Sequence, residues 1–231
     1  MIKNLKYMYI MVLALLIIVS LFGYLTRQSF QDNTIPYKLP SNLENATISI
    51  FDEESYINKY FKNNLSTYNE LKEQSDFIII GEIIDDRTKF NSTLKTKVKV
   101  KEVLKSKQKL ENIKSIIVYE PSEFLYDTYY VNSGYNIMKT NQDYILFLRH
   151  LEVPNGYKYK NDESISFIPT STYFGKYSLN NKNLISPINL EELNTLKYKD
   201  LDNYEIITDN KEKIKIFNTI KEKVWNDFGN N

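Results

Sequence analysis

The chain has 231 residues, enough for one ordinary domain with appendages and too few for two large cores. Thirty Lys and Arg against 29 Asp and Glu leave a formal charge of +1, which argues against general nucleic-acid binding, because that needs a basic excess on some face. Cysteine is absent, which excludes disulfides, thiolate nucleophiles, Cys-ligated zinc and a lipid-modified N-terminal Cys together.

Charged residues make up 26% and hydrophobic residues 42%, so the chain can fold rather than remain disordered. From Tyr7 to Leu25 no charge occurs. At the helical rise this run spans ~28 Å, about one hydrocarbon core. Lys3 and Lys6 precede it and Arg27 follows, a bias that predicts a cytoplasmic N-terminus and an exported remainder. Tyr7, Tyr9 and Tyr24 stand where interfacial aromatics belong, and Val19 to Gly23 makes a poor cleavage site. Residues 1–25 therefore read as a cytoplasmic tip and an uncleaved single-pass anchor. Residues 26–44, polar and carrying Pro36 and Pro40, read as a tether, and 45–231 as an extracytoplasmic domain.

Within that domain Ala46 to Phe51 suits a first strand, and Tyr56, Ile57, Tyr60 and Phe61 suggest a short helix over 53–63. Thr67 and Glu70 have capping-box spacing, which predicts a helix over 68–74. The stretch SDFIIIGEIIDDRTKFNSTLKTKVKVKEVL, from Ser75 to Leu104, organises the rest. Phe77 to Ile84 is apolar on both faces except at Gly81 and Glu82. Leu94, Thr96, Val98 and Val100 alternate with Lys95, Lys97 and Lys99 in the pattern of a half-buried antiparallel strand. Gly81 in so apolar a run predicts a bulge or barrel corner. Ile113 to Tyr119 and Asp143 to Val153 read as further strands, and Glu120 to Lys139 as a long Tyr-rich connection. Strands are expected near 157–159 and 165–169, and a hairpin pairs 173–179 with 182–185 across Asn180-Asn181. Asn189 to Glu192 suits a brief helix. Asp209 to Phe228 predicts a C-terminal amphipathic helix, with Ile216, Phe217, Ile220, Val224 and Phe228 on one stripe and Asp209 and Glu212 as its cap. The fold class is mainly β with flanking helices (α+β): a small antiparallel OB-like barrel behind one transmembrane helix.

Three segments carry a resemblance. Ser75-Asp76-Phe-Ile-Ile-Ile-Gly81-Glu82, the run from Lys97 to Lys105, and Gln142-Asp-Tyr-Ile-Leu-Phe-Leu148 together resemble uncharacterised exported or membrane-anchored proteins of Gram-positive bacteria. Over about residues 66–186 the order is also similar to the OB-type barrel of netrin-like and metalloproteinase-inhibitor domains. Those inhibitors chelate zinc through an N-terminal Cys, so the absence of Cys keeps that mechanism from this chain.

Chemistry-bearing residues are sparse. His150 is the only histidine, which excludes HExxH and any His pair, and it reads as a partly packed strand-end residue. Asp85-Asp86 and Asp52-Glu53-Glu54 read as turn and helix-start residues. Ser106 to Lys109 spells SxxK, but in a charged turn and without the companion motifs of penicillin-recognising enzymes. No catalytic, cofactor-binding or metal-binding residue is assigned. Two surfaces remain for partners. Tyr126, Tyr129, Tyr130 and Tyr135 share one connection and offer low-entropy contacts to a ligand. Lys95, Lys97, Lys99 and Lys101 form a stripe that suits the solvated face of a strand or, alternatively, an anionic surface. The reading is a membrane-anchored, non-enzymatic binding module without cofactor, partnered by the membrane and by an envelope protein or polymer rather than nucleic acid. An enzyme or enzyme subunit acting on envelope polymers is the alternative.

Overall fold

The computed structural model describes residues 2–29, 35–36, 43–51, 59–107, 113–193, 195–201 and 203–229. Two compact units divide the chain, residues 1–35 and 36–231. The first contains helix α1 (Ile2–Ser29), whose segment Lys6–Thr26 is long and apolar enough to cross a membrane and buries none of its side chains.

The second unit is built on the stretch singled out in the sequence. Strands β2 (Phe77–Phe90) and β3 (Thr93–Ser106) form a long hairpin, and β3 pairs onward with β4 (Ser115–Glu120). Strand β4 then runs parallel to β8 (Ser166–Pro169), β8 pairs antiparallel with β7 (Asp143–His150), and β7 pairs antiparallel with β2. The circuit β2–β3–β4–β8–β7–β2 closes a five-stranded barrel of OB-like order, which leaves no long open edge in that circuit. One of its five seams is parallel, a departure from the all-antiparallel barrel expected.

Alternation decides what fills it. Phe77, Ile79 and Ile83 of β2, Val98 of β3, Ile116 and Val118 of β4 and Leu146 and Leu148 of β7 share the interior cluster with Phe167. The opposite faces of β2 and β7 are also covered. Ile78, Ile145 and Phe147 pack with helices α2 (Tyr68–Gln74) and α4 (Lys211–Phe228), against Leu71, Phe217, Ile220 and Val224. Burial on both faces is why β2 and β7 read as continuous apolar runs. Gly81 sits at a register shift, and a Cβ there would lie 2.5 Å from Val98 Cγ1. The bare backbone is what lets the two strands coil together. Thr67 caps α2 as its spacing predicts, its hydroxyl accepting from Glu70 N. The cap of α4 is Asn210 rather than Asp209, its side chain accepting from Glu212 N and Lys213 N at 3.1 Å.

Four expectations change. The connection after Glu120 contains two strands, β5 (Ser122–Leu125) and β6 (Thr128–Asn132), which with β1 (Thr47–Phe51) make a second sheet of order β1–β6–β5. Asp85 and Asp86 lie inside β2, where Ile83 faces Val98 and Arg87 faces Thr96, so they occupy a bulge rather than a turn. No strand forms over 157–159. Strand β9 (Lys176–Ser178) pairs with β7, but 182–185 is not its hairpin partner. Asn180 Oδ1 instead accepts from Asp143 N at 2.7 Å and Asn181 Oδ1 from Asn183 N at 2.9 Å, side-chain bonds that replace a ladder. A brief helix α3 (Leu190–Leu193) follows as expected. The helix expected over 53–63 falls mostly outside the described residues, and 59–63 are turn, bend and irregular backbone rather than helix.

Candidate functional site

The same alternation that fills the barrel with aliphatics carries three polar residues inward at one end. Arg87 is in phase with Ile79 and Ile83, Thr96 with Leu94 and Val98, and Glu120 with Ile116 and Val118, and all three are buried. Glu120 accepts from the Thr96 hydroxyl, from Tyr135 Oη at 3.1 Å and from Met138 N at 2.7 Å, and Arg87 Nε lies 3.5 Å from it. Arg87 Nη2 donates to Met138 O. The two charges balance each other inside the barrel and the Glu120 oxygens hold three hydrogen bonds, so this cluster is structural, although Arg87 Nη1 is buried without a hydrogen-bond partner.

Tyr135 connects it to a second buried group. The ammonium of Lys176, on β9, lies 5.1 Å from the Tyr135 ring centre and 5.9 Å from that of Tyr144. Lys176 is only 2% exposed, and its Nζ donates to the main-chain carbonyl of Glu205 at 2.7 Å. The Glu205 carboxylate is committed elsewhere: Oε1 to the ammonium of Lys221 on α4, Oε2 to Ser178 N at 2.7 Å. Lys221 also donates to Asn183 O at 2.6 Å. Burial drives the Lys176 ammonium down from 10.5 to about 8, with Glu205 and Glu120 opposing the shift. Burial likewise raises the Tyr135 and Tyr144 hydroxyls well above the usual phenol range.

Lys176 and Glu205 line a cleft of about 520 Å³, within the ~300–1,000 Å³ usual for small-molecule sites. Its walls come from the loop before β7 (Ile137, Lys139, Gln142), from the segment after β9 that the sequence suggested as a strand, and from Asn203 and Tyr204. Amides, hydroxyls, two lysines and two tyrosine rings dominate it. Both Glu205 oxygens hold hydrogen bonds, and the arrangement is one that holds a polar molecule.

The residues singled out in the sequence are scattered. Tyr126 is 89% exposed at the β5–β6 turn with φ +55°, whereas Tyr129 and Tyr135 are buried. Tyr129 stacks on Phe124 and donates to Asn136 Oδ1 at 3.0 Å, and Tyr130 is half-buried on the other face of β6. Only Tyr135 reaches the cleft region, beneath Lys176. Along β3, Lys95 lies over the Phe90 and Tyr119 rings, Lys97 is exposed, and Lys99 and Lys101 face Glu82, with Lys101 Nζ 2.7 Å from Asp143 Oδ1. His150 is buried at a strand end, its Nε2 3.1 Å from Ser164 O and its ring against Tyr159 and Phe167. No group of three or more His, Asp or Glu able to hold a metal occurs among the described residues.

Lys176, Glu205 and Lys221 escaped the sequence reading because charged side chains are assigned to solvent by default. One signal was present: Lys221 is four residues from Phe217 and three from Val224, inside the apolar stripe of α4. Fold and site together define a closed five-stranded barrel that carries a polar cleft beside its C-terminal helix. Comparison with known protein families, with curated proteins and with solved structures returned no match.

Proposed function

We propose that this protein is a single-pass membrane-anchored binding module whose barrel domain lies outside the cytoplasm and whose ligand site is the Lys176 cleft. The cleft carries the reading, because it places buried polar groups, Lys176 and Glu205 among them, around an opening. Lys3 and Lys6 ahead of the apolar run support a cytoplasmic N-terminus. The likeness of the Ser75, Lys97 and Gln142 segments to anchored Gram-positive proteins supports the same placement.

Two measurements test it. Protease added to intact cells should remove the C-terminal portion while cytoplasmic controls survive, and its protection would reverse the orientation. A photo-crosslinking residue at Leu184, 51% exposed on the cleft wall, should capture adducts in cells that the same residue at the exposed α4 position Glu222 does not. Equal or absent labelling at both would remove the binding reading.

A further inference from the structure

We infer that the cleft is an anion site, taking one singly charged carboxylate on a hydroxyl-rich body, an acidic sugar, with Lys176 receiving the charge. This rests on the cleft being a binding site and adds the chemistry of what it binds.

Charge balance points to it. Arg87 and Glu120 cancel. Lys176 and Lys221 share one carboxylate, Glu205, and Lys221 holds it. Among the described residues no carboxylate lies within ion-pair distance of Lys176, which reaches only the carbonyl of Glu205. The charged groups acting on it are Glu205, Glu120, Lys221 and Lys139, and Lys139 lines the same cleft. A buried ammonium without a counter-charge is costly, and it either sheds its proton or finds an anion. The value near 8 shows the first tendency, and the open cleft permits the second. Counting the buried groups described, Lys176, Lys221 and Glu205, the surplus is a single charge, which a carboxylate matches and a phosphate dianion exceeds, and Lys139 on the cleft wall adds to the pull on an anion. Gln142, Asn183 and Ser186 suit hydroxyl partners, and the rings of Tyr144 and Tyr204 suit a sugar face.

The test uses the full chain in detergent micelles, with sodium glucuronate, neutral methyl glucoside and inorganic phosphate as probes. Lys176 acetylation is followed by peptide mass spectrometry near pH 8, with exposed Lys215 as internal control. Glucuronate should slow acetylation of Lys176 about ten-fold and leave Lys215 unchanged, while the glucoside should slow neither. Calorimetry of glucuronate near pH 8.5 should show net proton uptake, since the anion restores the ammonium. Lys176→Met should lose about ten-fold or more in glucuronate affinity. The acetylation assay on the unsubstituted chain stands even where that variant misfolds. Equal protection by the glucoside, stronger protection by phosphate, or protection by none of the three would overturn the inference. Protection by the glucoside would still leave the cleft a binding site, whereas uniform crosslinking in cells would remove that reading itself.

Discussion

Arg87 and Glu120, sealed among β2, β3 and β4, cancel each other's charge, whereas Lys176, Lys221 and Glu205, between β9 and α4, leave one positive charge over. The first cluster is buried throughout and ties Thr96, Tyr135 and the Met138 main chain to one carboxylate. The second borders a cleft, and one of its two cations has only a carbonyl to bond. Burial alone therefore does not mark a functional group. A balanced, enclosed set is architecture, while an unbalanced set beside open space invites a partner.

The largest effect should come from breaking the balanced set. Glu120→Ala leaves a guanidinium that cannot deprotonate, buried and unpaired, and should cost about 3–5 kcal/mol in denaturant unfolding. A loss below about 1 kcal/mol would mean that water reaches Arg87. Glu205→Gln should cost less, about 1–3 kcal/mol, because the amide still accepts from Ser178 N and the lysines can shed a proton. Should Glu205→Gln prove the more damaging of the two, the contrast between the clusters would be reversed.

Lys176→Met sharpens the comparison through pH. The unfolded amine titrates near 10.5 and the folded one at about 8. Between those values the unfolded chain binds the extra proton, so this residue makes stability rise with pH, and its penalty is fully present below about 8. Tyr135 and Tyr144, whose values burial raises, act oppositely above about 10. The difference between the parent and Lys176→Met isolates the lysine. The variant should be as stable as the parent or more so at neutral pH, with its advantage shrinking from about pH 8 to 10. A pH-independent loss would show that the ammonium is already compensated.

The smallest effect belongs to the β3 stripe. Lys99 and Lys101 pair with Glu82 and Asp143 at the surface, where such pairs contribute about 0–1 kcal/mol. Replacing Lys95, Lys97, Lys99 and Lys101 with Gln should shift stability by about 0.5 kcal/mol or less per site and leave binding to anionic vesicles at low salt unchanged. A salt-sensitive drop would instead make the stripe a docking face.

The barrel was legible where hydrophobic period and punctuation agreed. Leu94 to Val100 alternates, Gly81 marks a corner, Thr67 caps a helix, and all three act as read. Strands β5 and β6 were not legible, because their turn is Tyr126-Asp127 and lacks the Gly, Asn or Pro that usually announces one. Tyr126 nevertheless takes the positive φ of that turn. The cleft was hidden for another reason. Lys176, Glu205 and Lys221 are far apart in sequence, and no local pattern says that a charge will be buried. For Arg87 and Glu120 the clue was parity with their aliphatic neighbours, which a periodicity scan of hydrophobic residues passes over.

The parallel seam between β4 and β8 has a kinetic consequence. Strands β2, β3 and β4 can zip as sequence neighbours, but Ile117 meets Ser166 only after β5, β6 and β7 have been made. The entropy of closing that long loop must be paid before the seam yields any contact, which places folding in the slow regime of barrels, on the order of milliseconds to seconds. Until then β4 presents an unpaired edge that other chains can extend. A nascent chain stalled before residue 166 is thus a half-cylinder with an adhesive side, and aggregation of such truncations is expected to set in at β4.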